Sequence, residues 1–245
     1  MTQIGPELLS CRDLRIGRGG EALLPPFDLT VCAGELWAVI GRNGSGKTTL
    51  MRTLLGLLPP VSGSVTLGRP NLKFAYLSQR AGLDEFYPLL GADAVAMGCE
   101  RGWSFARPRG KDQRRRVERA LSEMGTQQFG LERYGSLSDG QKQRVMFTRL
   151  AVSDAELMLA DEPTSAMDVV AEREAFRLLD RIRHERGLGI VIASHFLGLA
   201  QRLADRVVLL DRDTPAVVIG TPGEVFAHAG FRDNHGAVDD APPHD

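Results

Sequence analysis

Short apolar runs separated by glycine and proline fill the first third of the chain. Leu8 to Ile16, Phe27 to Cys32 and Leu36 to Ile40 read as strands. A glycine-rich stretch, Gly41 to Gly46, follows the third run, and Lys47 to Leu58 then reads as a helix stopped by Pro59-Pro60. Ser64 to Leu67 and Leu72 to Ser78 add two more strands. Between about Arg80 and Ser153 the apolar period lengthens, so that Leu89 to Met97, Asp112 to Met124 and Gly140 to Val152 predict an inserted helical subdomain. Strands return at Glu156 to Ala160, Leu188 to Ala193, Val207 to Leu210 and Ala216 to Ile219. Among them lies a helix from Val169 to Arg186 with Val169, Phe176, Leu179 and Ile182 on one face. Apolar strands alternating with amphipathic helices predict an α/β fold with a parallel sheet covered on both sides. The last stretch, 231–245, carries Asp233, Asp239, Asp240, Asp245 and Pro242-Pro243, and reads as a flexible acidic tail.

Composition narrows the functional classes. With 43% hydrophobic and 25% charged residues the 245-residue chain can bury a large core, which excludes disorder of the whole chain. Its 30 basic residues against 31 acidic ones give a net charge of -1, without the basic excess of a nucleic-acid binder. Cys11, Cys32 and Cys99 are odd in number and lack C-x-x-C spacing, so neither a disulfide framework nor a zinc site is indicated. The N-terminus lacks a basic region followed by an apolar core. The longest mainly apolar stretch, Gly187 to Ala200, is too short to span a bilayer and is interrupted by Ser194 and His195. These features predict a reducing, cytoplasmic setting. Local charge is uneven: Glu100 to Arg119 holds eight basic residues against three acids, which fits either a solvated face or a docking surface.

Three segments carry chemistry. Gly41-Arg42-Asn43-Gly44-Ser45-Gly46-Lys47-Thr48 fits the pattern G-x-x-x-x-G-K-[ST] between a strand and a helix. Its glycines let backbone N–H groups turn inward around phosphates, Lys47 neutralises β and γ oxygens, and Thr48 offers a hydroxyl to Mg2+. Only four of the basic residues are lysines, and Lys47 occupies the position that asks for a compact charge on a flexible stem. Leu157 to Glu162 is an apolar strand ending in two carboxylates, of which Asp161 can hold Mg2+ through water and Glu162 can polarise an attacking water. Leu137-Ser138-Asp139-Gly140-Gln141 opens a helix, where small residues expose N–H groups to an anion; alone, Ser-Asp there is an N-cap.

Together these segments resemble an ATP-binding-cassette (ABC) ATPase from Leu8 to about Phe226. Gly41 to Thr49 resembles the Walker A loop, Leu157 to Glu162 the Walker B strand with its catalytic glutamate, Leu137 to Gln141 the LSGGQ signature, and Ser165 to Asp168 the D-loop. Gln79 resembles the Q-loop glutamine that senses Mg2+, and His195 the switch histidine that contacts the γ-phosphate. The resemblance implies a P-loop ATPase with a mixed-sheet core, an antiparallel β subdomain and a helical subdomain. It places the core and β subdomain at about 1–79 and 154–230, and the helical subdomain at about 80–153, within one domain of 1–230. Catalysis then falls to Glu162, His195 and Lys47. Nucleotide binding falls to Gly41 through Thr49 with Gln79, and Mg2+ to Thr48, Gln79 and Asp161. Ser138, Asp139, Gly140 and Gln141 would act on the ATP of a second cassette.

Implied partners are a second copy or a paralogue, separate transmembrane permease subunits and, for an importer, an extracytoplasmic substrate-binding protein. The implied location is the cytoplasmic face of the inner membrane. Tyr76 to Gln79, Val95 to Gly98 and the helix before the signature resemble the metal and metal-chelate importer group. Exporter or lipid-handling cassettes, and non-transport or regulatory ABC proteins, are the alternatives. Three positions depart from the family: Asp139 replaces a signature glycine, Arg18 stands where an aromatic residue usually stacks on adenine, and Phe196 follows His195 where an acid is common.

Overall fold

The computed structural model describes residues 5–78, 88–99, 110–194, 197–228 and 231. In chain order these form β1 (Glu7–Arg15), β2 (Gly17–Arg18), β3 (Glu21–Ala22), β4 (Phe27–Cys32), β5 (Leu36–Ile40), α1 (Lys47–Leu54), β6 (Ser62–Leu67), β7 (Phe74–Leu77), α2 (Gly91–Ala96) and α3 (Lys111–Glu123). There follow α4 (Gln127–Leu131), α5 (Asp139–Val152), β8 (Leu157–Asp161), α6 (Val169–Arg186), β9 (Gly189–Ala193), α7 (Leu197–Leu203), β10 (Arg206–Asp211), β11 (Ala216–Gly220) and α8 (Pro222–Ala227). Two compact units result: Met1–Leu8, Val31–Glu35 and Leu67–Ile192 make the first, and Leu9–Thr30, Leu36–Thr66 and Ala193–Asp245 the second.

In the second unit β11, β10 and β5 lie side by side, with β10 antiparallel to β11 and parallel to β5, so the sheet is mixed. Every residue of β5 is buried, as a strand covered on both faces requires. Its ends are fixed by polar contacts: Leu36 N donates to Asp205 Oδ2 at 2.8 Å, and Ser194 N donates to Val39 O at 3.1 Å. Ala38 and Ile40 pack with Val207, Leu209, Ala200, Val225 and Phe231, and the Phe226 and Phe231 rings meet edge-on at 4.7 Å. A three-stranded sheet in the order β4-β1-β6 and a two-stranded sheet of β2 and β3 complete the strands of this region. Cys11 on β1 is inert here, because burial, and secondarily the Asp28 carboxylate, push its thiol up to about 12.

The helix predicted to run from Lys47 to Leu58 ends earlier, at Leu54. Gly56 takes a left-handed φ of 70°, Leu57 N donates to Arg52 O at 2.9 Å and Gly56 N donates to Thr53 O at 3.0 Å. That pair of bonds is a Schellman stop, so glycine ends the helix before the prolines can.

In the first unit β9, β8 and β7 are neighbours, and β7 runs parallel to β8 with Leu77 opposite Ala160. Helices α2 to α6 supply the rest. Thr126 and Thr148 are fully buried between helices, yet each hydroxyl has a backbone acceptor, Leu121 O and Arg144 O respectively. Guanidinium groups finish α5: Arg116 donates to Val152 O at 2.6 Å, and Arg186 to Ala151 O at 3.0 Å. Arg116 also pairs with Asp154, and Arg119 with Glu123. This part of the basic run therefore serves internal contacts, while 100–109 lie outside the described residues, as do 232–245 of the acidic tail.

Phe231 is 1% exposed at the edge of the second unit's core. Phe231→Ala is expected to cost about 3–5 kcal/mol and lower Tm by roughly 10 °C, read by thermal denaturation.

Candidate functional site

β5 delivers the glycine loop of the second unit from a rigid strand. Gly41 follows Ile40 with φ of 151°, and a Cβ there would strike Leu210 O and lie 2.6 Å from Ser45 Oγ, so no side chain fits. Gly46 enters α1 with φ of 111°, a conformation that favours glycine. Helix α1 starts without a capping side chain and without an acid in its first turn, leaving its first N–H groups and its positive dipole end for an anion. Ser45 Oγ is buried and makes no hydrogen bond. An orphaned hydroxyl, an uncapped helix and a lysine in one loop fit a triphosphate.

Lys47 is 6% exposed and points its ammonium at the loop, donating to Gly41 O at 2.8 Å and to Arg42 O at 3.3 Å. Thr48 is half-buried beside it and Thr49 buried. The loop, with Ser194, Leu197 and residues 209–213, lines a cleft of about 740 Å³, ample for a small-molecule ligand. Arg42 reaches across its rim to Asp213 at 2.8 Å; both side chains are about two-thirds exposed, so the pair contributes little stability.

In the first unit β8 is buried throughout and ends at Asp161, itself 3% exposed. Glu162 then adopts φ of 48°, one of three non-glycine residues with positive φ among those described. Such a conformation costs about 1–3 kcal/mol and concentrates at working sites. The turn beyond it is tied down: Met167 N donates to Thr164 O at 2.9 Å, Thr164 Oγ1 donates to Glu172 at 2.9 Å, and Asp168 caps α6 by accepting from Ala171 N at 2.8 Å.

Ser138 and Gln141 form a capping box on α5, in which Ser138 N donates to Gln141 Oε1 at 2.8 Å and Gln141 N donates to Ser138 Oγ at 3.4 Å. The plain N-cap role of this segment is therefore present. Asp139 is exposed in the first helical turn, where a carboxylate suits the dipole. Gly140 lies so near the D-loop that a Cβ would be 2.7 Å from Ala166 O. One turn on, Gln143 clasps the same loop, its Nε2 donating to Ser165 Oγ at 3.2 Å and its Oε1 accepting from Ala166 N at 3.0 Å. Sequence patterning did not single out Gln143, whose role depends on a contact 22 and 23 residues away.

The described residues thus bring Gly41 to Ser45 together with Ser194 in the second unit, and Gly140 and Gln143 together with Ser165 and Ala166 in the first. Gln79, His195 and Phe196 lie outside the described residues.

Residues 24–165 match the ABC transporter family. The chain belongs to that family. It is an ATP-binding cassette that hydrolyses ATP. The zinc import ATP-binding protein ZnuC of Cereibacter sphaeroides is 34% identical over 220 residues, covering 88% of this chain and 86% of the relative. Among solved structures, CbiO1 of Clostridium perfringens, part of the ABC transporter complex cbiONQ, is 25% identical with a TM-score of 0.74 over 91% of this chain and 92% of its own. A metal-chelate type ABC transporter in an inward-facing conformation has a TM-score of 0.77 at 23% identity, covering 92% of this chain and 87% of that one, and speaks for the fold.

Gln143→Ala is expected to leave nucleotide affinity unchanged while slowing ATP turnover on the order of tenfold, since two hydrogen bonds of about 1 kcal/mol hold the D-loop. Nucleotide titration and steady-state hydrolysis on the same variant check this.

Proposed function

We propose that this chain is the energy-coupling subunit of an importer for a metal ion or metal chelate. The observation that carries the substrate class is the near full-length similarity to a zinc-import ATPase. In this reading 1–230 form one cassette, with about 80–153 as its helical subdomain.

Gly41 to Thr49 hold the phosphates, and Lys47 exchanges the carbonyl oxygens of its own loop for phosphate oxygens. Mg2+ supplies charge neutralisation on those phosphates when bound. The Thr48 hydroxyl, at the start of α1, suits such a hard cation, and Gln79 and Asp161 are assigned to it by the family resemblance. Glu162 orients the attacking water as general base, and His195 contacts the γ-phosphate. Ser138, Asp139, Gly140 and Gln141 meet the ATP of a second cassette, because the chain has one phosphate loop and one signature.

Among the described residues no helix is long and apolar enough to cross a membrane. In this reading the transport path belongs to separate permease subunits, this chain is peripheral on the cytoplasmic face, and an extracytoplasmic binding protein delivers substrate. Reconstitution with its membrane subunits tests the whole reading. ATP should drive labelled zinc inward, Glu162→Gln should bind ATP with unchanged affinity but lose turnover at least a hundredfold, and metal uptake should vanish with it. Outward transport, or unimpaired hydrolysis by the variant, defeats the proposal.

Asp139 adds a negative charge where a partner's phosphates are to dock. Asp139→Gly is expected to raise turnover a few-fold while costing about 0.3–1 kcal/mol of stability through the lost helix-dipole interaction. Hydrolysis rate and denaturant midpoint measured together check both signs.

A further inference from the structure

The turn between β10 and β11 faces the phosphate loop across the cleft of the second unit. Asp211, at the end of β10, pairs with Ala216 of β11, so the turn is 212–215. Its shape is set by Asp211, a buried carboxylate whose Oδ1 accepts from Asp213 N at 3.0 Å and from Thr214 N at 3.2 Å. A side chain that bonds the backbone just ahead of it makes a defined turn, and this one fixes where Asp213 leaves the chain. The facing wall is fixed too, since Leu210 O abuts Gly41. Arg42 and Asp213 therefore project from two constrained stretches of backbone in one unit, and Arg42 Nη1 donates to Asp213 Oδ2 at 2.8 Å.

This contact is too weak to serve as a structural tie. Both side chains are about two-thirds exposed, and an exposed ion pair adds little to stability. It also runs against the chemistry of the loop, because it sets a carboxylate on the rim of a cleft suited to anions. A guanidinium offers phosphate the same fork of N–H donors that it offers a carboxylate. Asp213 and an incoming phosphate thus compete for one donor group. The cleft is also lined by Ser194, the residue before His195, to which the family resemblance assigns the γ-phosphate. Arg42 and Asp213 accordingly stand at the end of the cleft where a third phosphate distinguishes ATP from ADP.

We propose that Asp213 is a specificity-determining residue, which competes with the terminal phosphate of ATP for Arg42 and so lowers the preference of the cassette for ATP over ADP. The proposal rests on the phosphate-loop reading and extends it to the number of phosphates. While Asp213 holds Arg42, the apparent affinity for a triphosphate falls in proportion to the fraction of molecules whose guanidinium is free. ADP places no phosphate at that end and is indifferent to the pair. Asp213 acts through Arg42 as a positioning residue, and loss of the terminal phosphate lets the two re-form their contact.

Equilibrium titration of the full chain with a non-hydrolysable ATP analogue and with ADP tests this. Asp213→Asn should tighten the analogue about threefold to fivefold, the range that an exposed ion pair supports, and change ADP by less than about twofold. Asp213→Glu keeps the carboxylate and should keep the wild-type ratio of the two affinities. Arg42→Ala should weaken the analogue several-fold, and adding Asp213→Asn to it should bring no gain, since the two residues act as one unit. Both positions are exposed, so unchanged thermal midpoints confirm that the variants fold. An Asp213→Asn variant with an unaltered ratio overturns the proposal. Equal tightening by Asp213→Asn when Arg42 is already absent also overturns it, because plain charge repulsion would then be the cause. Failure of Lys47→Ala to weaken either nucleotide would overturn the phosphate-loop reading instead.

Discussion

Lys47 carries its charge into a position that is 6% exposed, and an ammonium taken out of water must be solvated by something else. The backbone of its own loop does this, through Gly41 O and Arg42 O. That arrangement requires the chain to fold back tightly, and the crowding around Gly41 shows how tightly: Leu210 O and Ser45 Oγ leave no volume for a side chain. A loop under such constraint needs a rigid base. β5 provides one, buried along its length and bonded to β10 and to Ser194. The buried charge is tolerable with carbonyl partners and better satisfied by phosphate, since charge-assisted hydrogen bonds are stronger than those to neutral acceptors.

The first unit meets a different constraint, strain at Glu162. A left-handed glutamate persists only when its surroundings over-determine it. The buried strand before it and the ties at Thr164 and Asp168 after it hold the turn. Gln143 and Gly140 add a second attachment, from the helix that begins at Ser138. In consequence the signature segment and the D-loop form one mechanical piece within this unit, so displacement of α5 must reach the chain beyond Glu162.

Local patterns carried most of the fold. β4, β5 and α6 have the bounds that apolar periodicity and punctuation predict, and β5 and α6 each stop at a glycine with positive φ, Gly41 and Gly187. The prediction for α1 overran by choosing Pro59 over Gly56, although a left-handed glycine stop was available in the sequence. The β2-β3 hairpin, α4, α7 and α8 were not anticipated; strands of two residues and helices of five to seven show too little periodicity to register. The phosphate loop was legible because its chemistry depends on backbone, and glycines at fixed offsets announce backbone demands. Gln143 was not, because a side-chain clasp between distant segments leaves no local pattern.

The same distinction bears on where this cassette can differ from its relatives. Gly41, Gly140 and Lys47 are confined by contacts that leave no room for another side chain or demand a particular charge. Asp139, Arg18 and Glu21 are exposed, and each sits at the edge of a segment whose backbone is already fixed by other residues: the capping box of Ser138 and Gln141, or the Gly19-Gly20 turn. Substitution there changes electrostatics without disturbing the fold, as exposed positions generally allow. Turnover rate can therefore be tuned independently of the phosphate loop, because that loop is written in backbone and in one buried lysine, while the variable positions are side chains that face solvent.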